Sequence, residues 1–233
     1  MSAHTTHIKR RGLLISALSA LLLTLSGCMF PTSNTSGSSP KGRLQVVHAN
    51  PQEAPIEVLV DGEVLLSVEP GEISEVSYIN EGEWVLELRR AGTSSPYLTT
   101  EAIPFGSHLN VLALGLNPEG ESEVFYVTDP PPAAEEGTHF VRVLDLSGIE
   151  EETKLFRGLT EVTTLPLEGQ LSAFIPTEPG SSESYSLSNV DSGAPVYLEQ
   201  ERVESPVGGA SLVVILPPAG LLTSYKISAL SLR

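Results

Sequence analysis

Apolar and polar residues alternate with a period of two along much of the chain. Ile56, Val58 and Val60 share one face of a short segment. Trp84, Leu86 and Leu88 share another, and Leu109, Val111 and Ala113 a third. Alternation of this kind marks a strand that buries one side. In a later run Val213 and Ile215 alternate with Val214 and Leu216, so that run is apolar on both faces. Turn signals separate these segments: Asp61-Gly62, Glu81-Gly82, Asn117-Pro118 and Glu168-Gly169. Short strands at such spacing predict an all-β sandwich architecture. Asp61-Gly62, between Ile56–Val60 and Val64–Leu66, is a strong hairpin signal, since a type I′ turn needs positive φ at both central residues.

Two low-complexity stretches divide the chain. Residues 28–42 are small, polar and Pro/Gly-rich, a composition that cannot bury a core, and read as a flexible tether. Residues 129–137, DPPPAAEEG, carry three consecutive prolines that cannot sit inside a sheet. They read as a linker between two tandem antiparallel β-sandwich domains of Ig or transthyretin-like type, residues 43–128 and 138–233. Three collinear parallels favour duplication. Ser74–Ser77 parallels Thr160–Thr163, Glu81–Trp84 parallels Glu168–Leu171, and Pro104–Gly106 parallels Pro206–Gly208. One place is ambiguous. Ser147–Glu150 fits a capping box, and Ile149, Phe156 and Leu159 would line a short helix. The repeat register instead sets Thr153–Arg157 opposite Ile56–Val60 as a strand, and the strand is the expectation.

The first residues read as an address. A polar start ends in Lys9, Arg10 and Arg11, followed by the apolar run Leu13–Leu25 and then Leu25-Ser26-Gly27-Cys28. This is the layout of a secretory signal. The apolar run is shorter than the roughly 20 residues a bilayer span needs. Leu-Ser-Gly-Cys resembles the lipobox of bacterial lipoproteins. The resemblance implies a signal peptide over residues 1–27, a diacylglyceryl group on the Cys28 sulfur, cleavage before Cys28, and acylation of the new amine. It also implies outer-membrane sorting, because Met29 rather than Asp follows the cysteine. Two or three acyl chains hold a protein where one gives only marginal binding.

Composition narrows the function classes. The chain has 13 Lys+Arg against 29 Asp+Glu, a net charge of −16. Loss of Lys9, Arg10 and Arg11 with the signal would take it to −19. Such a surface argues against a nucleic-acid partner, which needs clustered cations. The 40% apolar content is too high for a disordered acidic tail. With one cysteine, neither a disulfide framework nor a multi-cysteine zinc site can form.

The stretch Leu44–Leu66, LQVVHANPQEAPIEVLVDGEVLL, is the most distinctive. It resembles the opening of the domain-of-unknown-function 4397 family, whose hallmark is V-V-H-A-x-P and then a strand ending in V-D-G. The residues that carry it are Val46, Val47, His48, Ala49 and Pro51, then Val58, Val60, Asp61 and Gly62. It covers about residues 43–128. The second segment keeps Val141-Arg142-Val143-Leu144, with Asp145 in place of the histidine and no V-D-G. The resemblance implies secreted or surface-exposed bacterial β-sandwich domains, often in tandem. It brings no activity and no catalytic residues.

No catalytic constellation stands out. His48, His108 and His139 show no H-x-H or H-x-x-x-H spacing, and His48, where a strand meets a turn, is expected to bond loop backbone. Asn117, Glu119, Glu121 and Glu123 read as a solvated acidic hairpin tip rather than a calcium loop. Trp84 shares a face with Leu86 and Leu88 and is expected in the core, the alternative being a sugar-stacking platform. Glu150 and Glu152 read as a solvated charge run. No nucleophile elbow or phosphate loop is present. The expectation is a non-enzymatic lipoprotein of the outer membrane, on its periplasmic or cell-surface face. It needs no cofactor and no metal and is held to the membrane by lipid on Cys28. It would bind or scaffold an envelope protein or glycan. An envelope hydrolase with a site assembled from distant strands is the alternative, as is an accessory lipoprotein of a secretion or pilus machine.

Overall fold

The structure is a computed structural model that describes residues 40–232, apart from 118–120, 134–135, 167–168, 179–183, 197, 201–208 and 219–223. Of residues 198–200 only the backbone is described. The signal segment, Cys28, the tether up to residue 39 and the parallel at Pro206–Gly208 lie outside these residues. No helix occurs among those described.

Among the described residues, eight strands build the first half: β1 (Lys41–His48), β2 (Ile56–Val60), β3 (Glu63–Val68), β4 (Ser77–Asn80), β5 (Gly82–Arg90), β6 (Leu98–Phe105), β7 (Leu109–Leu116) and β8 (Ser122–Val127). Nine build the second: β9 (His139–Asp145), β10 (Thr153–Arg157), β11 (Thr160–Thr164), β12 (Ile175–Thr177), β13 (Tyr185–Asn189), β14 (Pro195–Val196), β15 (Leu198–Gln200), β16 (Ala210–Leu216) and β17 (Tyr225–Ser231). The first half pairs them as β4-β1-β7-β8 and β3-β2-β5-β6. The second pairs them as β12-β9-β16-β17-β15 and β11-β10-β13-β14. With β15 set aside, the two halves share one strand order.

The sheets are not wholly antiparallel. β1 runs parallel to β7, β9 to β16, and β15 to β17. A parallel neighbour requires a long crossover connection. The connections from β1 to β7 and from β9 to β16 each contain the whole other sheet of their sandwich.

The shared topology extends to single bonds. Val47 bridges Ile73 as Leu144 bridges Leu171. The amide of Gly71 donates to the His48 carbonyl as that of Gly169 donates to the Asp145 carbonyl. The Ser74 hydroxyl accepts from the Val46 amide as that of Ser172 accepts from Val143. This register corrects two of the sequence parallels. Thr160–Thr164 forms β11, which holds the place of β3 rather than of Ser74–Ser77. Gly169 corresponds to Gly71 and not to Gly82. Short motifs of Glu, Gly and β-branched residues recur in any hairpin protein, so their order alone misplaced the register. The strand expectation for Thr153–Arg157 holds: this is β10, and Leu159 is fully exposed at its hairpin tip rather than on a helix face.

Alternation along the central strands explains the layering. In β1, Leu44 and Val46 pack into one core, while Val47 packs into another. In β7, Leu112 and Leu114 join the first core, and Leu109, Val111 and Ala113 the other. In β16, Val213 and Ile215 face the core of the second sandwich. Ala210, Leu212, Val214 and Leu216 face the core they share with β1 and β7. Strands apolar on both faces are thus buried on both faces. The result is three cores. Each sandwich has its own, and a middle core joins sheet β4-β1-β7-β8 to sheet β12-β9-β16-β17-β15. Each fully buried Leu, Ile or Val contributes about 1.5–3 kcal/mol. Gly169 marks the closeness of this junction: its φ is +74°, and an added Cβ would lie 2.7 Å from Cζ of Phe125 in β8.

Candidate functional site

Loop chemistry at the ends of β1 and β9 engages the buried His48 and Asp145. His48 is fully buried, and its Nε2–H donates to the Ala54 carbonyl at 3.0 Å, so the ring holds the 49–55 loop to the strand as expected. Its Nδ1 is buried without a partner. Burial pushes the His48 pKa down, against a smaller upward pull from the Ala54 carbonyl. Asp145, in the matching position, anchors the following loop in the other sandwich. Its Oδ1 accepts from the Ser147 amide at 2.9 Å and from the Ser147 hydroxyl at 2.6 Å. Burial raises the Asp145 pKa, and the Ser147 bonds oppose that rise. The two positions do the same job with opposite polarity: His48 donates to a loop carbonyl, and Asp145 accepts from a loop amide and hydroxyl.

The other histidines are engaged separately. His108 Nε2 donates to the Thr128 carbonyl at 2.6 Å. His139 Nε2 lies 3.1 Å from the Ser211 hydroxyl. Asn117 Oδ1 accepts from the Glu121 amide at 2.8 Å, which shapes the β7–β8 turn, while Glu119 lies outside the described residues. No group of three or more His, Cys, Asp or Glu residues among those described is placed to hold a metal. The Arg90 guanidinium, bonded to Glu53 at 2.8 and 3.0 Å and lying 4.9 Å over the Tyr97 ring, holds the Glu53 carboxyl below the usual range. Burial pushes the Tyr97 hydroxyl up to about 12.

A different place offers room for a ligand. Along one flank of the first sandwich the edge strands β3 and β4 are not paired to each other. Between them opens a cleft of about 270 Å³. Its apolar lining is Val60, Val64, Leu65, Ile79 and Trp84, with Tyr78 beside them. Lys41, Asp61, Glu63 and Asn80 supply polar groups. Ile79 is buried, Val60, Leu65 and Trp84 are half-buried, and the remaining residues are exposed, so the floor is apolar and the rim mixed. This volume lies just below the range usual for small-molecule sites, about 300–1,000 Å³.

The local chain explains the shape. Asp61 and Gly62 have φ of 51° and 80°, the two positive values that a type I′ turn needs, and this turn puts Asp61 and Glu63 at the mouth. The core expectation for Trp84 holds only in part. Trp84 packs against the margin of the first core and lines the cleft as well. Its Nε1–H donates to the Asn80 carbonyl at 2.8 Å, which fixes the ring across the turn between β4 and β5. Lys41 Nζ donates to Asn80 Oδ1 at 2.8 Å. Tyr78, 62% exposed, carried no signal in the sequence, where the tyrosines are scattered. Only the topology, which sets β4 across the flank from β3, puts Tyr78 and Trp84 on one cleft.

Comparison with known proteins adds the following. No curated protein matches the chain. Among the solved structures that match is CBMbc, of family CBM26, from Eubacterium rectale Amy13K in complex with maltoheptaose, similar over 83% of this chain and 97% of its own. It is 8% identical with a TM-score of 0.25, and at that score the likeness carries no argument. The model of the family described as Domain of unknown function (DUF4397) matches residues 42–152. The match runs past the expected end at 128, through the Pro-rich stretch and β9 to Glu152. The hallmark residues now have physical roles. Val46 and Val47 face different cores, His48 anchors a loop, and Asp61-Gly62 makes the first hairpin turn. Residues 42–152 therefore match the DUF4397 family that the V-V-H-A…V-D-G segment resembles.

Proposed function

We propose that the protein is a lipid-anchored component of the bacterial cell envelope with a non-catalytic binding role. Cys28 carries the lipid, the outer membrane holds it, and the paired sandwiches present the binding surface. The second sandwich is a diverged copy of the first, in keeping with the strand order and loop anchors they share. One observation carries the binding reading. The cleft between β3 and β4 is open and aromatic-lined. The buried His48 and Asp145 lie elsewhere, where each bonds to a neighbouring loop.

Two measurements test the proposal. Mass spectrometry of the protein extracted from membranes is expected to show an N-terminal peptide that begins at an acylated Cys28. Cys28→Ser is expected to release the protein from the membrane fraction. An unmodified Cys28 on a membrane-bound protein refutes the anchor. Turnover of an envelope polymer by purified protein refutes the non-catalytic role.

A further inference from the structure

We infer that the flank cleft of the first sandwich is a recognition site for a neutral oligosaccharide, with a pyranose ring lying against Trp84 and Tyr78. This rests on the binding role proposed above and names the ligand class.

The second sandwich supplies an internal comparison. Val60 closes β2, and Arg157 closes β10 at the matching position. Arg157 is only 5% exposed. Its Nη1 donates to Thr177 Oγ1 at 3.2 Å and to the Glu178 carbonyl at 2.7 Å. Thr177 lies in β12 opposite His139, as Ile79 lies in β4 opposite Gly42. In the second sandwich a buried guanidinium thus spans the flank from β10 to β12. In the first sandwich a valine stands there, and the flank is a cleft over Trp84. The fold can close this gap with one side chain, so its openness in the first sandwich is a property of that copy and not of the architecture.

The lining selects the ligand class. A pyranose presents an apolar C–H face and a rim of hydroxyls. The aromatic rings match the face, and the carboxylates and amide match the rim, since ionised acceptors make the stronger hydrogen bonds to hydroxyl donors. Asp61 and Glu63 face a single ammonium, Lys41, which is already bonded to Asn80, so an anionic glycan meets net repulsion. An extended peptide is the poorer occupant. Strand addition needs an edge with an unbroken apolar row, and charged edge residues discourage it. Asp61 and Glu63 place charge at the start of the β3 edge, and the Lys41 ammonium of β1 reaches across to Asn80 of β4.

Trp84 is the only tryptophan, so its emission reports this cleft alone. The full-length protein is titrated with maltohexaose, cellohexaose and the hexamer of N-acetylglucosamine, and with a peptide of alternating Val and Thr. At least one sugar is expected to change Trp84 emission saturably, with Kd below about 1 mM. Tyr78→Ala, at an exposed position, is expected to weaken that sugar about tenfold or more with unchanged melting. Val60→Arg, which copies the closure of the second sandwich, is expected to abolish it. Three results overturn the inference: no saturable response to any sugar, undiminished binding by Tyr78→Ala, or a response to the peptide alone. The last would leave the binding role standing and replace the ligand class. New reducing ends appearing during the titration would instead defeat the non-catalytic role.

Discussion

Leu212 lies in β16 with none of its surface exposed, and its side chain belongs to the middle core. Replacing it with alanine leaves a cavity between the two inner sheets, where both walls are strands tied into full hydrogen-bond ladders and collapse little. A buried Leu→Ala change of this kind costs about 2–5 kcal/mol, and the stiff walls favour about 3 or more. For a unit of this size each kcal/mol moves the melting point by about 2–4 °C, so a drop of about 6–12 °C is expected. The informative readout is double. Far-UV circular dichroism follows all strands, whereas Trp84 emission follows the first sandwich, at the far side of its own core from Leu212. If the middle core joins the halves into one cooperative unit, both curves shift together by the same amount. A Trp84 transition that stays put while circular dichroism shows an earlier second step would refute this reasoning.

Gly169→Ala is expected to cost about 2 kcal/mol or more in urea melts, because a residue at φ +74° is strained and the new methyl meets the Phe125 ring. A melting point like that of the unchanged protein would contradict the close junction. Asp145→Asn keeps an acceptor for the Ser147 amide and hydroxyl while removing a charge disfavoured by burial, and is expected to be neutral or stabilising at pH 7. Asp145→Ala leaves both donors unpaired and should lose about 1–3 kcal/mol. His48 has a folded pKa below its unfolded value near 6.5. Its contribution to stability is therefore complete above pH 6.5 and is lost as pH falls from there toward the folded pKa. The difference between the unchanged protein and His48→Gln, measured by urea melts from pH 8 to 5, should shrink across that window, and a difference flat with pH would refute the assignment.

Much of the fold is legible because the chain states it locally. Alternation marks β2, β5 and β7, and Asp61-Gly62 fixes the hairpin between β2 and β3. The apolar run Val213–Leu216 shows both faces of β16. The same two-sidedness is present in Leu109–Leu114, where Asn110 interrupts it. Asn110 is buried nonetheless, with its Nδ2 bonded to the Arg43 carbonyl at 3.2 Å. What alternation cannot give is the partner of each face, so the middle core could not be read from it. Nor could the parallel pairing of β1 with β7, which is decided by contacts across more than sixty positions. The cleft was the least legible feature. Trp84 carried an apolar signal that fits a core, and Tyr78 carried none. The contrast between Val60 and Arg157 acquires meaning only once β2 and β10 are known to be counterparts.

The pairing order also bears on how the protein comes to be folded. β1 cannot take its parallel place until β7 exists, since Arg43 sits opposite Leu109, and β9 waits likewise for β16, with Phe140 opposite Ala210. The β1–β7 and β9–β16 pairs therefore close long loops before they return any contact energy, whereas β7–β8 and β16–β17 are local hairpins. Folding dominated by such distant pairings is slow, about milliseconds to seconds. The outer hairpins β2–β3 and β10–β11 can form early, but each displays an apolar face with nothing to cover it. The middle core that joins the halves is complete only once β16 has supplied Leu212, Val214 and Leu216.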